Sequence, residues 1–550
     1  MRIASACFTI ALLSSLAQCQ EGGLPHTQPR GKPDDTCTVE GVVLKSTTSE
    51  PLKKATVSLY SVDGSGQNRV ASSDASGRFR FADVPPGRYR LQAQADGYVA
   101  QSVGQRRSRG AGITINLTPG RQERDLVFRL TPEGVISGKV FDEDGDPLRG
   151  ARVGGMLFVS RGGRRQLLPA GQTQTNDLGE YRLFGIPAGR YYVFAIHSQR
   201  VFQKGGEDEI YLPTFYPGAT DATQASPVEV RSGEEVPGIN LNLSTVRGVR
   251  VRGRVLDEAS NRPLQNSYVR LLPRDSSFLG YMGGNLGASA SDPQGNFEVR
   301  GVPQGAYSLQ ANWQVKDRSY SSRIPLDVGT ADLDGIIITV GPPSDLRGRV
   351  LTDPPAKLDF AKLGIWLEST DQPGGSGNPE FKPDGSFIIK NIIDGAYRLH
   401  LSGFPEEFYL RSARLGGADV LEGGLSVSHT QSTGTLELVL TLNGGRIDGT
   451  VVSRQQPFSG ALVTLIPNPP NRDRDELYSS TTSDQLGRFS MPGLPPGDYK
   501  LFAWEEIEGE SFKDSEFLKT YESQGKPVHI REREQQAVQL DLIPAEENTE

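Results

Sequence analysis

The chain has 550 residues, 36% of them hydrophobic, with 59 Lys and Arg against 66 Asp and Glu and a formal net charge of −7. So little apolar content excludes one large core and suits several thin domains with a high surface-to-volume ratio. Both signs of charge are interspersed, so nothing resembles the basic footprint of a nucleic-acid binder.

In chain order, the first segment reads as a secretory signal over residues 1–19. Arg2 is its charged start, Ile3 to Leu16 its short apolar stretch, and Ser15-Leu-Ala17 offers small residues for cleavage. A second reading lipidates Cys19, because Leu16-Ala17-Gln18-Cys19 resembles a bacterial lipobox, from which Gln18 departs. A Pro/Gly-rich linker occupies 20–37. With Cys7 and Cys19 in or beside the leader, Cys37 alone remains, which leaves neither a disulfide framework nor a thiolate metal site. No later stretch is long and apolar enough for a transmembrane helix.

From Thr38 onward a two-part signature occurs five times. Its first part is Gly-x-Val closing a strand, with Gly41, Gly138, Gly253, Gly348 and Gly449. Its second is a glycine turn, an aromatic, and then Gly-x-Tyr, with Tyr89, Tyr191, Tyr307, Tyr397 and Tyr499. Both series advance by roughly a hundred residues, the size of one small β-sandwich. The 64 Gly and 37 Pro fall between short apolar runs without a collagen period, so they read as turns.

In repeat one, Val39–Leu44 and Ala55–Leu59 read as strands on either side of the Glu50-Pro51-Leu52 turn. Asp74-Ala-Ser-Gly77 is a type I turn, Phe79 and Phe81 share a face, and Tyr89, Leu91 and Ala93 continue with period two. Ile113–Leu117 and Leu126–Leu130 are expected to close the repeat as a last strand pair. The order recurs with borders at 38–132, 133–245, 246–343, 344–444 and 445–546. The fourth repeat is the most divergent and lacks the Pro-Leu turn. Repeats two and five carry aromatic insertions, Tyr211–Gly218 and Phe517–Tyr521, expected to pack over one end of the sandwich.

Gly-x-Val, Pro-Leu-x-x-Ala, Asp-x-x-Gly-x-Phe and Pro-Pro-Gly-x-Tyr-x-Leu together resemble the carboxypeptidase regulatory-like domain. That family belongs to the transthyretin-like and carbohydrate-binding-like sandwiches and is related to the B-type repeats of collagen adhesins. The resemblance implies an all-β chain of about five seven-stranded, prealbumin-like Greek-key sandwiches. It implies no peptidase, since the family is named after an accessory domain.

Candidate chemistry is sparse. His529-Ile-Arg-Glu532 has the local spacing of a zinc site but no histidine after it to serve as third ligand, and reads as coincidence. No Gly-x-Ser-x-Gly sits on a strand-to-helix elbow; Asp63-Gly-Ser-Gly66 is a loop. Asp142-Glu-Asp-Gly-Asp146 places its glycine fourth rather than sixth, and reads as a hairpin rather than a calcium loop. The arginine clusters Arg106, Arg107, Arg109 and Arg161, Arg164, Arg165 read as solvated loops. No lysine recurs on the first strands, as an isopeptide cross-link of the adhesin type would need.

Glycan-binding modules stack sugars on exposed aromatics beside a few polar groups. Tyr211, Phe215, Tyr216, Trp313 and Trp504 with Glu505 are the candidates for such a site, and core packing is the competing reading for each. Trp366, in the alternating run Leu363–Leu367, is assigned to the core. The expectation is an exported, non-catalytic array without cofactor. It would bind an extracellular or envelope polysaccharide, or a protein partner, and no nucleic acid. The alternative is a structural stalk or adhesion element without a small ligand.

Overall fold

The computed structural model describes residues 36–62, 67–105, 112–197, 202–204, 207–274, 288–316, 318–370, 375–377, 379–429 and 434–545. The leader, the lipidation reading of Cys19, the Asp63–Gly66 loop and the Arg106 cluster lie outside these residues. Nearly every element is a β-strand, and among the described residues the α-helix is the short Ser515–Tyr521.

Repeat one shows the plan. Cys37–Lys45 is the centre of one sheet, antiparallel to Arg78–Val84 and parallel to Gln122–Leu130. The facing sheet runs Arg69–Ser72, Thr56–Ser61, Gly87–Ala95, Tyr98–Ser102. Burial alternates along Cys37–Val43, so one side of the strand enters the core and the other meets solvent. The core between the sheets gathers Val39, Val57, Phe79, Tyr89, Leu91, Ile115 and Phe128.

The expected last strand pair does not form. Ile115–Leu117 pairs with Gly87–Ala95 in the second sheet, while Gln122–Leu130 crosses to the first and runs parallel to the opening strand. The two runs are each apolar and adjacent in sequence, but the crossover adds one strand to each sheet where a hairpin would leave one sheet a strand short. The same parallel pairing recurs between Val249–Asp257 and Leu333–Val340, Ser344–Asp353 and Leu436–Thr441, and Gly445–Ser453 and Gln535–Asp541. In repeat two it is split into Glu235–Val236 and Leu241–Asn242 against Gly134–Phe141. Separate cores follow, centred on Val193, Leu309, Leu367 and Leu465.

The Gly-x-Val glycine has a steric cause. Gly41, Gly253, Gly348 and Gly449 stand directly across from Phe79, Phe297, Phe387 and Phe489. A Cβ at Gly41 would lie 2.7 Å from the Phe79 ring, and one at Gly253 2.7 Å from Phe297. The aromatic lies over the bare backbone and fills the space a side chain would take. In repeat two the partner is Tyr181, whose hydroxyl donates to the Ile239 carbonyl at 2.6 Å. The Gly-x-Tyr tyrosines are likewise structural: the hydroxyls of Tyr89, Tyr307 and Tyr397 donate to the carbonyls of Pro85, Pro303 and Ile393 at 2.9, 3.0 and 2.6 Å.

A second fastening recurs beside the glycine turn. The residue before the turn Asp or Asn is a buried hydroxyl: Ser73, Thr175, Ser291 and Ser483. Ser73 Oγ donates to the Leu52 carbonyl (2.6 Å) and accepts from the Ala55 amide (2.8 Å). Ser291 does the same between Leu264 and Ser267, and Ser483 between Phe458 and Ala461. It ties the Pro-Leu turn to the glycine turn. Repeat four has Phe381 at this position, stacked on Phe360 at 6.1 Å, and an apolar contact replaces the hydroxyl there. The missing Pro-Leu turn and the missing hydroxyl are one change.

Candidate functional site

The five aromatic candidates do not converge. Phe215 is 1% exposed and packs with Phe194 and Met156 in a satellite cluster on the outer face of the second sheet of repeat two. Trp504 is 2% exposed, stacks on Phe502 at 5.3 Å, meets Tyr521 and Phe517, and donates from Nε1 to Thr464 Oγ1 at 2.9 Å. Neither ring has a face to present to a sugar. Tyr211 and Tyr216 are half-buried against the repeat-two core, and Trp313 lies against Tyr320 beside the repeat-three core. Glu505 receives the Ala545 amide at 3.3 Å. Phe215 in repeat two, and Phe517 and Tyr521 in repeat five, thus join clusters on an outer sheet face, while Tyr211 and Tyr216 lie against the core between the sheets.

The assignment of Trp366 to the core is corrected. It is 47% exposed, because the pleat turns Ile365 and Leu367 inward and Trp366 outward. One ring face covers the glycine strand: Cβ atoms at Gly375 and Gly377 would lie 2.6 and 2.8 Å from it. His400 stands opposite Trp366 and holds Glu368 at 3.0 Å.

His529 and Glu532 turn to different partners, Asp498 at 2.7 Å and Arg411 at 3.2 Å. Asp142 folds back on the amides of Asp144 and Asp146 at 3.0 and 2.8 Å, which makes that acidic run a hairpin turn. Among the described residues no cluster of three or more His, Cys, Asp or Glu could hold a metal. Cys37 is buried, its thiol pKa pushed up by that burial, and it donates to the Thr118 carbonyl.

What the fold does bring together is the repeats themselves. Between two and three, Asp208 is 2% exposed and lies between the guanidinium groups of Arg250 and Arg300, with Arg250 Nε at 2.6 Å. The hydrogen bonds from Arg250 and then Arg300 hold its carboxyl well below the usual carboxylate range. Between three and four, His429 joins Glu258 to Asp394. Between four and five, Arg411 joins Asp353 to Glu532, and Arg398 reaches Asp473 at 2.8 Å.

Contacts out of chain order also form. Arg88 of repeat one pairs with Glu406 of repeat four at 2.8 Å, and Gln485 of repeat five reaches the Asn116 carbonyl of repeat one at 3.5 Å. The Gly162 amide of repeat two donates to Glu510 of repeat five, and the Glu510 amide donates back to the Ser160 carbonyl, both at 2.7 Å. Gly163, at φ 66°, allows this approach: a Cβ there would sit 2.5 Å from the Lys513 carbonyl. A groove of about 830 Å³ lies where repeats one, four and five meet, walled by Arg88, Asn116, Glu406, Asp448 and Arg488. Arg446 leads the groups that hold Asp448 down at about 2.

The chain is therefore an all-β protein of tandem sandwiches packed on one another. Residues 38–131, the first repeat, match the family model of the carboxypeptidase regulatory-like domain, as its turn and tyrosine pattern implied. Among solved structures it is similar to the Bacillus anthracis TIE protein at 13% identity, covering 56% of this chain and 51% of that one with a TM-score of 0.17. It thus spans about half the length of that relative. GBS52, the minor pilin of Streptococcus agalactiae, shows 16% identity over 38% of this chain and 97% of its own, with a TM-score of 0.23. BcpA, the major pilin subunit of Bacillus cereus, shows 14% identity over 56% and 99%, with a TM-score of 0.15. No curated protein matches. Among the described residues no helix is long and apolar enough to cross a membrane.

Proposed function

We propose that this chain is an exported, non-catalytic structural or adhesion element, built of five sandwich domains with borders near 132, 245, 343 and 444. The observation that carries this reading is the use of its aromatics and polar groups: Phe215 and Trp504 are buried, and charged side chains lock repeat to repeat. Contacts between repeats five and two and between repeats four and one make the array a braced block rather than a flexible string. Such a block holds its outward surfaces at fixed spacing, which suits multivalent contact with a large partner. The leader-like residues 1–19 support export.

A second reading keeps a glycan ligand and rests on Trp366, whose exposed ring lies beside Glu368 and His400. A pull-down of the full chain on insoluble polysaccharides separates the two. The structural reading predicts no retention. Retention that Trp366→Ala abolishes while the fold persists would establish the glycan reading in its place.

A further inference from the structure

The link between repeats three and four has a chemistry unlike the other junctions. His429 Nε2 lies 2.7 Å from Glu258 Oε2, and His429 Nδ1 lies 2.6 Å from Asp394 Oδ2. Glu258 belongs to repeat three; His429 and Asp394 belong to repeat four. A carboxylate is an acceptor only, and a neutral imidazole has one N–H and one lone pair. Two carboxylates at hydrogen-bond distance from both ring nitrogens are therefore satisfied together only by the imidazolium.

We propose that this junction is a proton-dependent clamp: His429, when protonated, fastens repeat three to repeat four, and its deprotonation releases the contact with Glu258. The side that lets go follows from the hydrogen bonds. Asp394 also accepts from the His429 amide at 2.9 Å and from the hydroxyls of Ser344 and Ser428, each at 3.2 Å. It keeps its place and the Nδ1 proton. Glu258 is 42% exposed and then faces the Nε2 lone pair.

Gly341, in the connection between the two repeats, makes room for the arrangement: a Cβ there would meet the Glu258 carboxylate and lie 3.1 Å from His429 Nε2. The charged groups bearing on the ring are Asp394 and Glu258. Partial burial pulls the histidine pKa down, but the two carboxylates outweigh it and the net direction is upward. A histidine raised in the folded state contributes stability that is fully present below its unfolded pKa and is lost as pH rises through the folded value. The clamp is thus closed in mildly acid conditions and open in mildly alkaline ones.

The test uses the full chain and two readouts. Histidine-ring NMR shifts of His429 are followed against pH, and small-angle scattering is recorded at about pH 5.5 and about pH 8, which bracket histidine titration. In the wild type the His429 midpoint is expected above that of a free histidine, and the scattering curve is expected to change between the two pH values. Glu258→Gln, at an exposed position that leaves the fold intact, is expected to move the midpoint down and to remove the scattering change. A midpoint that Glu258→Gln leaves where it was would overturn the proposal. A wild-type scattering curve identical at both pH values would overturn it equally.

Discussion

Repeats two and three are joined through a carboxylate held by two arginines, whereas repeats three and four are joined through an imidazole held by two carboxylates. Both junctions bring three charged side chains across a short connection. Their difference lies in where they titrate. Asp208 is buried and its arginines depress its pKa, so its contribution is present above the unfolded carboxylate value and is lost only as pH falls well into the acid range. His429 is raised, and its contribution fades as pH climbs. One junction is permanent at any physiological pH and the other is conditional.

The largest expected break in this comparison is Asp208→Ala. It strands two guanidinium groups that are still partly hydrated, so its cost should fall near the lower end of that for breaking a buried ion pair, about 3 kcal/mol. Denaturant unfolding followed in repeats two and three should show this loss undiminished from about pH 5.5 to about pH 8. Ser291→Ala comes next. It removes a buried hydroxyl that both donates and accepts, and should cost about 1–2 kcal/mol. That loss should be equal at both pH values, which separates damage inside a sandwich from damage between two.

Glu258→Gln is smaller still, within about 1 kcal/mol because the pair is partly exposed. Melting curves should show the loss at about pH 5.5 and none at about pH 8. The smallest effect is that of salt. Raising ionic strength should weaken the exposed Arg88–Glu406 pair before it touches the buried Asp208, which hydrogen exchange in repeats one and two would resolve.

Much of the fold was legible in the sequence because its cause is local. An Asp-x-x-Gly turn and a Gly-x-Tyr strand start each state a steric need within a few residues, and each recurs, whereas the pairing of Gly41 with Phe79 joins two distant strands and shows only in the structure. The crossover of the last two strands was not legible, since adjacent apolar runs look alike whether they pair with each other or with different sheets. The buried hydroxyl before the turn Asp was visible, as Ser73, Thr175, Ser291 and Ser483, but a lone Ser or Thr beside a turn reads as solvent-facing.

Trp366 reads as core in the sequence because the run Leu363–Leu367 carries inward residues on both sides of it, and the glycine strand it covers lies further on. The junction residues carry no sequence signal at all. Asp394 and His429 meet at the end of a strand pair within repeat four, and Glu258 reaches them only by the packing of one sandwich on the next, as Asp208 reaches Arg300.

The repeats form a braced block in which repeat five folds back on repeats one and two. Small-angle scattering of the full chain at about pH 5.5, where every junction is closed, tests it most directly. A braced block gives a curve that fits the contacts of Glu510 with Gly162 and of Gln485 with Asn116. A curve fitted only by five sandwiches laid end to end, with repeat five distant from repeat two, would contradict it.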